Sequence, residues 1–201
     1  TSFDMQGKYL QLRATSSASV ATSYTITAAI GPLSATWIIS TGISGCSPAG
    51  TVCADGTIYA GLSGASTPMY TTRCDLGQSW SGAACTGSRL TYAWNNGNNS
   101  GQTTTSQTGT TDGKTNTANL VTIDSDSLTS GVQQHKAAQA CKDLTDSGYS
   151  DWYLPASSEV STLYTNKTAI GNFDTSGNLY WTSSESSNSS AIYAVFNSSS
   201  L

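Results

Sequence analysis

His135 is the only histidine in the chain, so any Ser-His-Asp arrangement must run through it. It stands beside Lys136 in a helical pattern, no serine sits in a nucleophile motif, and the residue reads as solvated or capping. Glu159 and Glu185 are the two carboxylates that could pair as in a glycosidase. Glu159, however, falls at a predicted helix start, where a carboxylate favours the helix dipole. Asp124 and Asp126, in the run DSDS, offer the hard oxygen ligands that suit calcium. That run lacks the glycine and the terminal bidentate glutamate of an EF-hand loop, and a polar turn before the Ser130 helix accounts for it better. These residues predict a chain that is not an enzyme and needs no cofactor, with calcium at Asp124 and Asp126 as the one metal considered.

The five cysteines form two close pairs and a remainder. Cys46 and Cys53 bracket a Pro/Gly turn (CSPAGTVC), and Cys74 and Cys85 bracket a polar loop (CDLGQSWSGAAC). Both spacings allow local disulfides, each stabilising by ~2–3 kcal/mol through loop closure. A zinc site is the competing arrangement, but no CxxC occurs and His135 is distant in sequence. Cys141, on a predicted apolar helix face, is left over as a buried thiol or one whose partner lies beyond Leu201.

Recognition is the remaining chemistry, and it concentrates near the C-terminus. Trp181, in the strand YWTSSES, is either core or a face on which a sugar ring can stack. The outward neighbours expected to contact a ligand are Ser183, Glu185, Asn188 and Tyr193, whose hydroxyl, amide and phenol groups bond adaptably at low entropic cost.

The elements that must position these groups are legible in the periodicity. Residues 1–42 read as pure β, with alternating sets over 9–14, at Tyr24, Ile26, Ala28 and Ile30, and over 36–41. Three strands are too few for a sandwich, so this segment is expected to be partly immunoglobulin-like or completed by another subunit. Farther on, DGTIYAGLS and TPMYTTRCD predict a strand pair with Ile58, Tyr59, Met69 and Tyr70 in the core. Residues 95–119 are low-complexity and polar, and predict a surface loop that can also serve binding. A helix is expected from Ser130, capped by a Ser-x-x-Gln box, with Val132, Ala137, Ala140, Cys141 and Leu144 inward. A second should follow Pro155, with Val160, Leu163 and Tyr164 inward. Two strands close the chain, the last being AIYAVF.

Composition excludes some functions. Only 10% of the 201 residues are charged, and Ser and Thr make up about a third. Five Trp and ten Tyr still supply enough apolar area for a core. A net charge of −4 provides no basic stripe for nucleic acid. No apolar run approaches the ~20 residues of a membrane span. Cysteine use and hydroxyl-rich β-sequence predict an extracellular protein. The chain opens at Thr1 in polar sequence and is read as a mature product or an excised fragment.

One resemblance draws these segments together. The order GVQQHKAAQAC, GYSDWYLP, LYTNKTAIGNF, YWTSSES and A-x-Y-x-V-F resembles a family of bacterial surface domains, typified by the C-terminal domain of the Legionella collagen-like adhesin. The match spans roughly residues 43–201 and centres on Trp152, Leu154, Pro155 and the YWTSSE strand. Family members have a fold similar to C-type lectins and to the formylglycine-generating enzyme. They often place Thr or Ser after the proline as a helix cap; here Ala156 stands there, so Ser157 or water is expected to serve the helix start. They commonly end in a further strand with an Arg-Cys pair, which would hold the partner of Cys141. The sulfated polysaccharide ligand of the adhesin wants basic residues, so it does not transfer to this acidic chain.

The resulting expectation is an α+β protein. A C-type-lectin-like domain with two helices and a small twisted antiparallel sheet covers 43–201, and a short all-β segment precedes it over 1–42. Its expected role is a non-enzymatic adhesin or receptor- or glycan-binding module on a bacterial surface, a pilus or a phage tail. Its partner would be a glycan or protein of a host or neighbouring cell. The alternatives are a subunit of an extracellular filament, assembled as a homo-oligomer through the N-terminal strands, and a hydrolase.

Overall fold

A computed structural model describes residues 22–30, 33–41, 46–187 and 190–197. The chain divides between Ser44 and Gly45 into two compact units.

In the first unit, β1 (Thr22–Ile30) pairs antiparallel with β2 (Leu33–Thr41), from Thr22 opposite Thr41 to Ile30 opposite Leu33. These are the second and third expected strands; the first, over 9–14, lies outside the described residues.

The described residues of the second unit form four helices and small antiparallel sheets. Strands β3 (Ile58–Leu62) and β4 (Pro68–Thr71) pair around a bulge between Tyr59 and Gly61. Ile58 and Met69 are buried, while Tyr59 and Tyr70 remain partly exposed with ring centroids 5.7 Å apart. The short strand β5 (Ser79–Trp80), inside the Cys74–Cys85 disulfide loop, pairs with β6 (Cys85–Thr86), which starts at the cysteine that closes it. The second expected disulfide, Cys46–Cys53, is also formed.

Polar sequence over 95–119 was expected to be loop throughout, yet its end forms α1 (Gly113–Leu120). Asp112 caps it by accepting from the Thr115 amide. Leu120 is fully buried, and the Thr117 hydroxyl donates to the Leu154 carbonyl and accepts from the Leu154 amide. A threonine that pairs with an interior backbone segment belongs to the core, whatever its hydropathy.

The expected Ser130 cap is also displaced, because α2 spans Lys136–Lys142 with His135 at its N-cap. Gly131 takes a left-handed φ of 81°, a conformation that suits glycine and interrupts a helix. Gln133 is held instead by Asp124 and Ser125, its amide donating to Asp124 and its carbonyl accepting from the Ser125 amide. Val132, expected inward, is therefore 70% exposed.

Helix α3 (Ser157–Thr165) follows Pro155 as expected and buries Val160. A short α4 (Lys167–Ile170) follows and buries Ile170. The chain ends in the hairpin β7 (Leu179–Ser187) and β8 (Ser190–Val195).

Among the described residues the apolar core comes in three patches. One joins Ile58, Ala60 and Met69 to Ile170, a second joins Leu120, Ala137, Ala138 and Leu154, and a third is Val160, Ala194 and Phe196. Phe173 stacks on Phe196 with centroids 4.2 Å apart. No helix of the described residues is long and apolar enough to cross a membrane.

Candidate functional site

The β7 strand does not alternate. Thr182, Ser183, Ser184 and Glu185 are all buried, because the ladder shifts register between Trp181 and Glu185 and protein covers both faces. The Ser183 amide donates to the Pro155 carbonyl and the Glu185 amide to the Gln107 carbonyl. Asn116 of α1 donates to the Ser183 hydroxyl, and Ser184 accepts from the Ser157 amide at the start of α3. Ser183 and Glu185 are thus interior residues at 0% and 3% exposure, which corrects the expectation that they face a ligand.

Glu185 sits in a pocket of donors. Its carboxylate accepts from the Thr105 amide at 3.0 Å, the Thr105 hydroxyl at 2.9 Å and the Ser106 amide at 2.8 Å. Ser106 has a φ of 59°, which turns two successive N–H groups toward one anion, the geometry of a backbone nest.

Glu159 is held in a similar way at the start of α3. It accepts from the Ala156 amide at 2.8 Å, the Gly113 amide at 3.1 Å and the Tyr153 hydroxyl at 3.3 Å. Glu159 therefore does the work expected of Ser157 or water at this helix start, and it reaches the first residue of α1 as well. A β-carbon at Gly113 would come within 2.5 Å of its Oε2, so the position admits only glycine. Burial raises the Glu159 pKa, and the amide donors of Ala156 and Gly113 partly offset the shift.

Both carboxylates are thereby occupied as structural acceptors. Asp126 is as well: it accepts from the side chains of Asn96, Asn98 and Thr129 and from the Leu128 amide. These donors, led by the Thr129 hydroxyl, push its pKa far down. Asp124 accepts from the amides of Asp126 and Gln133. N–H and O–H groups converging on these oxygens make both aspartates acceptors that hold the turn together. Among the described residues, no three His, Cys, Asp or Glu side chains group as metal ligands.

His135 is 1% exposed, not solvated. Its Nδ1 donates to the Leu120 carbonyl at 3.1 Å, and its ring meets Trp94 edge-on at 5.0 Å. Burial lowers its pKa below the ordinary 6.5, which outweighs the nearby carbonyls of Leu120 and Ile123. The imidazole is neutral at neutral pH.

The open surface lies beside these buried groups. A cleft of about 250 Å³ has Trp94, His135 and Trp181 among its lining residues. Asn95, Asn99 and Gln102, from the polar loop, and Ser190, from β8, also line it. Trp181 is partly buried against the Leu120–Leu154 patch, so it is at once core and surface. Opposite it on β8 stands Tyr193, 53% exposed, with ring centroids 6.0 Å apart and nearly perpendicular. Asn188 lies outside the described residues. Sequence reasoning had not singled out Trp94, Asn99, Gln102 or Ser190. The signal available for the first was its place directly before the asparagine run NNGNNS.

Cys141 is a free thiol packed against the same apolar patch. Burial pushes its pKa up to about 12, which makes it a poor nucleophile.

The chain matches no family model, no curated protein and no solved structure.

Proposed function

We propose that this chain is an extracellular recognition module without catalytic activity, an adhesin or receptor- or glycan-binding domain with a C-type-lectin-like fold. The observation that carries this reading is the Trp181–Tyr193 pair, an aromatic surface beside a cleft bordered by amides and hydroxyls. Such surfaces bind by stacking and adaptable hydrogen bonds. Two disulfides fit an oxidising compartment. The occupied state of Glu159 and Glu185, both spent on backbone amides, weighs against paired-carboxylate hydrolysis. The test is binding of labelled chain to intact cells and to a glycan array, with Tyr193→Ala beside the parent. Binding by the parent and its loss in the variant are expected. Absence of binding to every surface and glycan sinks the reading, as does turnover in a broad hydrolase screen.

A second reading, a filament or pilus subunit, draws on the first unit. The described residues of the first unit form a two-stranded sheet, which is marginal in water by itself, and the nine-residue strands β1 and β2 provide a ladder that a strand from another copy can extend. Electron microscopy and sizing of purified chain test it: long polymers support it, and discrete monomers or trimers end it.

A further inference from the structure

The lining of the Trp94–His135–Trp181 cleft carries more information about its ligand than the site's existence does. None of its residues bears a formal charge at neutral pH: they are Asn, Gln, Ser, Thr, Ala, Gly, Trp and the neutral His135. Lys136 approaches the rim at Gly97, one outlying cation beside an uncharged interior.

Both indole N–H groups are already used. Trp94 donates to the Thr182 carbonyl at 2.7 Å and Trp181 to the Tyr92 carbonyl at 3.0 Å. The two rings therefore offer the cleft apolar surface and no donor. Fixing each indole to a backbone carbonyl also locks its orientation, so little side-chain entropy is lost when a ligand lands on it. The polar side differs. Asn99 and Ser190 make no internal side-chain hydrogen bond among the described residues, while Gln102 makes one long contact, to the Asn98 carbonyl at 3.4 Å. Those groups can both donate and accept. The volume, about 250 Å³, is below the roughly 300–1,000 Å³ of sites for drug-sized ligands.

An aromatic wall with no free donor, facing uncommitted amide and hydroxyl groups in an uncharged recess for one ring, matches the two faces of a sugar. Its C–H face lies on the indole, and its hydroxyls meet the amides. We propose that this cleft takes a single neutral sugar ring, seated against Trp181 and hydrogen-bonded by Asn99, Gln102 and Ser190. The inference rests on the recognition reading and names its ligand class. Uronic acids, sialic acids and sulfated sugars are disfavoured, because Lys136 reaches only the rim at Gly97, whereas an anion seated within would lose its hydration to an uncharged lining with the carboxylates of Asp124 and Glu185 near His135.

The experiment uses the whole chain and follows tryptophan fluorescence and NMR shifts. It is titrated with methyl glycosides of neutral hexoses and N-acetylhexosamines, then with methyl glucuronide and a sulfated hexose. Asn99→Ala and Ser190→Ala, at exposed positions, avoid the folding risk of replacing Trp181. The expected result is saturable binding of at least one neutral glycoside and none of the anionic ones, with affinity reduced about fivefold or more in the double variant. Anionic glycosides binding in preference overturn the ligand class while the recognition reading stands. Neutral binding that the double variant leaves unchanged overturns the site. If no glycoside binds but the chain still adheres to cells through a protein, the sugar inference falls alone. If it adheres to nothing, the recognition reading falls with it.

Discussion

Glu185 and Thr105 are 80 residues apart in sequence, yet the Thr105 amide and hydroxyl both donate to the Glu185 carboxylate in the interior. This contact ties β7 to the polar loop whose earlier residues line the cleft, so the shape of the cleft depends on a carboxylate that is itself buried.

Replacing Glu185 should therefore behave as a stability defect. Glu185→Ala leaves the buried Thr105 amide and hydroxyl unpaired and frees the exposed Ser106 amide, and each buried orphan costs about 1–3 kcal/mol. Urea unfolding is expected to show a loss on the order of 3 kcal/mol, with less than half of it in Glu185→Gln, whose amide oxygen keeps most of the bonds. Equal losses in the two variants would contradict the nest.

Tyr193→Ala should separate binding from folding. With the side chain 53% exposed, its removal is expected to change stability by about 0.5 kcal/mol or less, while the Trp181 face loses its perpendicular neighbour. Thermal melting and cell binding measured on the same sample check both halves.

Acid sensitivity follows from two carboxyl groups of opposite sign. The Ser176 hydroxyl and the Asn178 amide hold Asp174 down at about 2, against an ordinary 3.8. Its folded form binds protons more weakly than its unfolded form, so its contribution is full above pH 3.8 and is lost as pH falls to about 2. Burial raises Glu159 above its ordinary 4.5, so stability from this group grows as pH falls through that raised value toward 4.5. Melting temperatures across pH 2–7 should show a shallower acid decline in Asp174→Asn. Glu159→Gln should lose the small gain on acidification.

Cys141 gives a chemical check on burial. With its pKa pushed up to about 12, the folded chain should react with a thiol reagent at pH 8 at least roughly a hundredfold more slowly than a free cysteine. Denaturation should release one thiol per chain, and reduction should raise the count to five. Rapid labelling of the folded chain would place the thiol on the surface.

Local features were legible in the sequence. Spacing alone pointed to the two disulfides, the β3–β4 pair, the helix after Pro155 and the closing strands, because each is set by contacts between near neighbours or by a periodicity that survives in one segment. Two features were not legible, because each depends on partners outside its own periodic segment. Helix α1 lay hidden in a threonine- and asparagine-rich run, since Thr117 gains its interior place from Leu154, 37 residues away. The start of α2 moved from Ser130 to Lys136 because Asp124 and Ser125 claim Gln133.

The composition and cysteine spacing by themselves determined a low-charge α+β chain with two covalent loops and aromatic strands near its end. The tertiary structure decided which of its many hydroxyl and carboxyl groups face outward. A serine or glutamate carries no fixed preference in a sequence like this one, since it is stable in water or buried once its donors and acceptors are met. For Ser183 and Glu185 those partners come from Asn116 and Thr105, and for Trp94 from Thr182, 88 residues on. Only the folded chain brings them together. Of the residues expected to meet a ligand, Ser183 and Glu185 consequently lie inside, while Tyr193 and part of Trp181 stay at the surface beside the cleft.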